Sequence, residues 1–122
     1  MNRIVSLAAS FFLLALAVPV AHAHSHLQSS DPAENAMLTA SPPEIRLTFT
    51  MAVEPKFSTI RLLDTSGKVV ETAPAAPDPR NPKLLVVQLP QALPPGSYKV
   101  EWKVVAGDAH PMTGTFSFTI TQ

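Results

Sequence analysis

The chain has 122 residues, with nine basic and nine acidic side chains and no cysteine. This length fits one domain, the balanced charge argues against nucleic acid or an anionic membrane surface as a partner, and the missing cysteine excludes disulfides and thiolate metal sites. Thirteen prolines against four glycines favour short strands joined by rigid loops and disfavour helices.

The N-terminal segment has the features of a secretory signal peptide. Arg3 supplies a positive charge, residues 4–20 are apolar, and Ala21-His22-Ala23 is a small-residue cleavage site. We therefore expect residues 1–23 to be removed on export, so that the mature chain begins at His24. Two alternatives stay open: an uncleaved anchor, since the apolar run is near the shortest length that spans a bilayer, and cleavage after Ala21, which leaves His24 internal.

Beyond the signal, alternating apolar and polar residues predict strands. We predict them around Leu27 and over residues 44–50, 59–63, 68–71, 84–89, 97–105 and 115–121. The run 84–89 is apolar apart from Gln88 and is expected inside a sheet, whereas residues 74–82 hold too many prolines for a central strand. Residues 33–38 are compatible with one helical turn. Several short strands separated by turn signals predict an all-β sandwich, a single domain over residues 24–122.

Histidine is scarce, and after cleavage only His24, His26 and His110 remain. An N-terminal His24 offers its α-amine and its imidazole to one metal ion. Asp108 and His110 are two residues apart, so their side chains point the same way in an extended chain. The first strand of a sandwich can lie beside the loop that precedes the last strand, which would bring these residues together. Such a set of nitrogen and oxygen ligands suits Cu(II) best, although an Asp-x-His pair is more often a solvated turn.

The mature chain resembles the CopC family of periplasmic copper-binding proteins. The matching segments are His24-Ser25-His26-Leu27, residues 30–33, 43–49 and 95–105, and the ending 107–118 with its Asp108-x-His110-Pro111-x-x-Gly114 motif. The resemblance implies an immunoglobulin-like Greek-key β-sandwich of about seven strands in the periplasm. It also implies that Cu(II) is held by His24, Asp108 and His110, and that a membrane copper transporter of the CopD type is the partner. We expect one copper ion per chain and a monomer.

Methionine marks a departure from the family pattern. Some members also hold Cu(I) in a methionine-rich loop, but residues 64–83 contain no methionine here, and Met37, Met51 and Met112 are scattered. We therefore expect a Cu(II)-only protein in which these three side chains fill core or loop positions. Trp102 and Tyr98 are expected in the core, and Gly114 at a backbone bend before the last strand.

His26 leaves two arrangements open. As the third mature residue, it can complete a square-planar Cu(II) site with the terminal amine and two backbone amides. It can instead be an extra ligand of the folded site or the neighbour that orients a ligand.

These observations predict a copper carrier or buffer rather than an enzyme, since no nucleophile–base pair and no phosphate-binding loop can be read. One alternative is a copper-dependent enzyme like the lytic polysaccharide monooxygenases, which also use an N-terminal histidine on an immunoglobulin-like sandwich. The short chain and the anionic Asp108 disfavour that alternative. The other is a metal-free sandwich that serves as an interaction module, which copper titration of the processed protein would distinguish.

Overall fold

The computed structural model describes residues 26–107 and 109–122. The predicted signal segment 1–23 lies outside these described residues, and so does its cleavage site. Within the described part of the chain, no helix is long and apolar enough to cross a membrane. The regular elements there are β1 (Leu27–Asp31), β2 (Met37–Leu38), β3 (Glu44–Phe49), a 3-10 helix (Pro55–Phe57), β4 (Thr59–Leu63), β5 (Val69–Val70), β6 (Ala76–Asp78), β7 (Asn81–Gln88), β8 (Gly96–Val105) and β9 (Pro111–Ile120).

The strands form two sheets that share one core. The first sheet has the order β1-β3-β7-β6 and the second the order β2-β9-β8-β4-β5. Neighbouring strands run antiparallel, except that β2 lies parallel to the end of β9. Buried side chains of both sheets belong to one hydrophobic cluster. The predicted all-β sandwich is therefore confirmed.

Period-two patterns explain which side chains enter the core. Along β8, the buried positions are Tyr98, Val100, Trp102 and Val104, and along β9 they include Phe116, Phe118 and Ile120. Each alternate residue between them faces outward, because successive side chains of a strand point to opposite faces. Burying one large apolar side chain contributes about 1.5–3 kcal/mol, so these alternating rows fix the register of the β8–β9 hairpin.

All seven predicted strands are present, and two short strands are added to them. Residues 33–36 form a turn closed by a hydrogen bond from the Ala36 N–H to the Ala33 carbonyl at 3.1 Å. The helical turn considered for residues 33–38 is not formed, because Met37 and Leu38 belong to β2. The proline-rich segment contains β6, which lies at the edge of its sheet, where missing backbone donors are tolerated. As predicted, β7 lies inside its sheet, between β3 and β6.

The prediction that Gly114 serves a bend before the last strand is wrong. Gly114 lies within β9, directly opposite Trp102 of β8. The indole covers it so closely that an added Cβ would lie 2.3 Å from Trp102 Cζ2. Trp102 also packs edge-to-face on Phe49, with ring centroids 5.2 Å apart. The glycine is therefore needed to make room for the indole.

Tyr98 and Trp102 lie in the core as predicted, at 5% and 8% exposure. The Tyr98 hydroxyl donates a hydrogen bond to the Pro94 carbonyl at 2.6 Å, and burial raises the pKa of this hydroxyl. The Trp102 Nε1–H is buried and finds no acceptor among the described residues. Both aromatic side chains thus belong to the same buried row of β8.

Candidate metal centre

The first described residue of the chain is fixed beside the end of β3. The His26 N–H donates to Thr50 Oγ1 at 3.1 Å, and the Thr50 N–H donates to the His26 carbonyl at 3.0 Å. These bonds extend the β1–β3 pairing, in which Leu27 lies opposite Phe49. The N-terminal end of β1 is therefore anchored where β3 passes into the connection to β4.

The loop between β8 and β9 reaches the same end of the sandwich. This loop, residues 106–110, follows the last register pair of the hairpin, Val105 with Pro111. Ala106 forms an antiparallel bridge with Val53, and the Glu54 N–H donates to the Val105 carbonyl at 2.7 Å. Val53 is three residues beyond Thr50. One connection, from β3 to β4, thus contacts both the start of β1 and the β8–β9 loop.

A buried serine holds this connection in place. The Ser58 hydroxyl donates to the Glu54 carbonyl at 2.7 Å and accepts a hydrogen bond from the Val105 N–H at 3.2 Å. Ser58 is 8% exposed, and buried polar groups need such partners to offset their desolvation. In addition, the Val53 N–H donates to the Pro82 carbonyl at the start of β7. The connection is consequently tied to both sheets.

The structure describes one of the three predicted ligands. His110 is exposed and comes directly before β9. Next to it, Ala109 has a φ of 61° and donates its N–H to the Ala106 carbonyl at 2.9 Å, which closes the loop tightly. His24 and Asp108 lie outside the described residues, so their ligand roles stay predictions. Within residues 26–107 and 109–122, no group of three or more His, Asp or Glu side chains could hold a metal ion.

The methionines occupy different environments. Met112 is half-buried and packs against the core, as a core filler should. Met51 is half-buried in the β3–β4 connection. Met37, in β2, is 72% exposed. The expectation that all three are core or loop fillers thus describes Met51 and Met112 but not Met37.

The pKa shifts of the described residues lie away from this end. Hydrogen bonds from Arg46 and Gln88 lower the pKa of Glu44 at the start of β3. Hydrogen bonds from Ser66 and Lys68 lower the pKa of Asp64 in the turn before β5. These interactions stabilise the charged carboxylates and belong to the sheet and the turn.

Sequence reasoning missed Thr50 and Ser58. Both are ordinary hydroxyl residues in a polar connection, and their spacing from the predicted ligands carries no signal. Their role follows only from strand pairing, which brings residues 26 and 50, and residues 58 and 105, together.

Known proteins resemble this chain over most of its length. The CopC domain matches residues 27–121. Protein YobA of Escherichia coli K12 is 37% identical over 105 residues, which cover 86% of this chain and 85% of YobA.

Two solved structures share the fold. CopC from Methylosinus trichosporium OB3b superposes with a TM-score of 0.74 at 35% identity, over 80% of this chain and 93% of that protein. PcoC, a methionine-rich copper resistance protein from Escherichia coli, superposes with a TM-score of 0.74 at 36% identity, over 81% of this chain and all of PcoC. The predicted family resemblance is therefore confirmed over nearly the whole described chain.

Proposed function

The chain belongs to the CopC family, and from this premise we propose that it is an exported, periplasmic protein that binds one Cu(II) ion as a carrier, buffer or donor. The observation that carries the proposal is the β3–β4 connection, which contacts the start of β1 through Thr50 and the β8–β9 loop through Val53. Removal of residues 1–23 would leave His24 as the terminal residue, two positions before the anchored His26.

The donors fit the proposed cargo. The α-amine and imidazole of His24, the Asp108 carboxylate and the His110 imidazole form a mixed nitrogen and oxygen set, which suits the tetragonal geometry of Cu(II). A terminal amine has a pKa of about 7.7–8.0, so copper displaces its proton at small cost near neutral pH. The exposure of His110 suits transfer, because a partner's ligand can approach from solvent.

The proposal includes no Cu(I) site. Residues 64–83, from the end of β4 into β7, contain no methionine, whereas PcoC is described as methionine-rich. Soft thioether ligands are what selects Cu(I). By the same resemblance, we propose a membrane copper transporter of the CopD type as the partner that exchanges copper with this protein.

The proposal is tested by replacing His110, Asp108 and His26 in turn in the processed protein and measuring Cu(II) affinity by competition with a chromophoric chelator. His110→Ala should weaken binding by more than the 10–100-fold that follows loss of a supporting residue. Asp108→Asn should weaken binding less, because it keeps an oxygen donor and removes only the charge. His26→Ala is the matched control and should have the smallest effect.

The reverse order would contradict the proposal. A severe His26→Ala and a silent His110→Ala would mean that copper sits on the N-terminal tail and that Asp108 and His110 only shape a loop. No measurable Cu(II) binding by the processed wild type would instead favour a metal-free module.

A further inference from the structure

A mature chain that begins His24-Ser25-His26 has two competing ways to bind Cu(II). One is the folded site with His110. The other is a square-planar chelate that uses only the tail: the terminal amine, the backbone nitrogens of residues 25 and 26, and the His26 imidazole. The tail chelate needs the His26 amide nitrogen as a metal ligand, which requires that this nitrogen give up its hydrogen.

In the structure that amide is already engaged. The His26 N–H donates to Thr50 Oγ1 at 3.1 Å, while the His26 carbonyl accepts from the Thr50 N–H at 3.0 Å. His26 is thereby held by both of its backbone polar groups. To form the tail chelate, the chain would have to break the side-chain bond and turn the His26 amide toward the metal, away from the extended β1–β3 pairing.

We infer that Thr50 is a positioning residue for metal selection: its hydroxyl holds the His26 amide as a hydrogen-bond donor and so disfavours the tail chelate. This inference rests on the proposed function, because it matters only if the terminal residues serve copper. Thr50 need not touch the metal, since it acts through the backbone of His26.

Disfavouring the tail chelate also affects metal specificity. A square-planar set of four nitrogens suits Ni(II) as well as Cu(II), whereas the folded site offers a carboxylate and two histidines, a set without deprotonated amides. By disfavouring the tail chelate, Thr50 disfavours square-planar Ni(II). Loss of its hydroxyl should therefore open a second binding mode and a second metal.

The test compares three variants of the processed protein. Thr50→Val keeps the shape and the strand preference but removes the acceptor. Thr50→Ser restores the hydroxyl. Thr48→Val is the matched control. Thr48 lies in β3, is half-buried like Thr50, and its hydroxyl makes no hydrogen bond to another described residue.

Three measurements are made on each variant. The first is the exchange rate of the His26 amide in the metal-free protein, which should rise about fivefold in Thr50→Val, as expected for loss of one hydrogen bond. The second is the visible absorption of the Cu(II) complex, which should shift to higher energy as amide nitrogens bind. The third is the affinity for Ni(II) in a diamagnetic complex, which should be about fivefold higher in Thr50→Val than in wild type. Thr50→Ser and Thr48→Val should match wild type in all three.

Two results would overturn the inference. The first is a wild-type His26 amide that exchanges with solvent as fast as in an unstructured peptide. This measurement needs only wild type, so it tests the inference even if Thr50→Val fails to fold. The second is a folded Thr50→Val with the wild-type copper spectrum and the wild-type Ni(II) affinity. Failure of the proposed function looks different, because wild type itself would then bind no Cu(II). A wild type that already shows the tail spectrum, independently of His110, would overturn both.

Discussion

Replacing Gly114 by alanine should destabilise the metal-free protein, because it forces a methyl group into the indole of Trp102. The added Cβ would lie 2.3 Å from Cζ2, 2.5 Å from Cε2 and 2.9 Å from Nε1 of that ring. The ring has little room to retreat, since it is 8% exposed and packs on Phe49. Overpacking of this kind costs about 1–3 kcal/mol. At about 2 kcal/mol, the melting temperature of a domain of this size should fall by roughly 8–16 °C.

The assay is thermal unfolding followed by circular dichroism, with two further variants. Gly107→Ala is the control, because a Cβ at Gly107 meets no atom within 4 Å, and its melting temperature should stay near that of wild type. Trp102→Phe replaces the indole by a smaller ring, so Gly114→Ala should cost less in that background. The two mutations should show a coupling energy within the range of about 0.5–3 kcal/mol for contacting residues. Equal melting temperatures for Gly114→Ala and wild type would refute the packing argument.

Two further predictions concern copper. Saturating Cu(II) should raise the melting temperature of the processed protein, because a ligand that binds only the native state adds about 2.7 kcal/mol at a hundredfold excess over Kd; an unchanged value would place the metal on an unattached tail. One extra residue before His24 should weaken Cu(II) binding strongly, since the terminal amine then no longer chelates together with the His24 imidazole. Equal affinity of the two forms in a chelator competition would argue against the role of processing.

The strands could be predicted from sequence because their cause is local. The alternation of Tyr98, Val100, Trp102 and Val104 with polar residues needs only the period of a strand and a single core. The short strands β2 and β6 escaped prediction, because β2 lies in a segment compatible with a helical turn and β6 in a segment rich in proline. They form at sheet edges where the chain happens to pass, beside β9 and β7.

Gly114 and Thr50 could not be interpreted correctly for a related reason. A glycine near a turn usually allows the backbone to bend. Only the pairing of β8 with β9 shows that Gly114 faces the indole of Trp102. Likewise, the Thr50 hydroxyl becomes informative only when β1 is placed against β3. The residue types of the candidate ligands could be read from sequence, whereas the contacts that hold the chain around them depend on register between distant strands.

Pulsed electron paramagnetic resonance of the processed protein with one equivalent of Cu(II) tests the central claim most directly, because it detects the remote nitrogens of bound imidazoles. We predict two bound imidazoles in wild type, one in His110→Ala, and an unchanged pattern in His26→Ala. A wild-type pattern that survives His110→Ala and is lost in His26→Ala would contradict the claim that the β8–β9 loop and the chain's start hold the metal together.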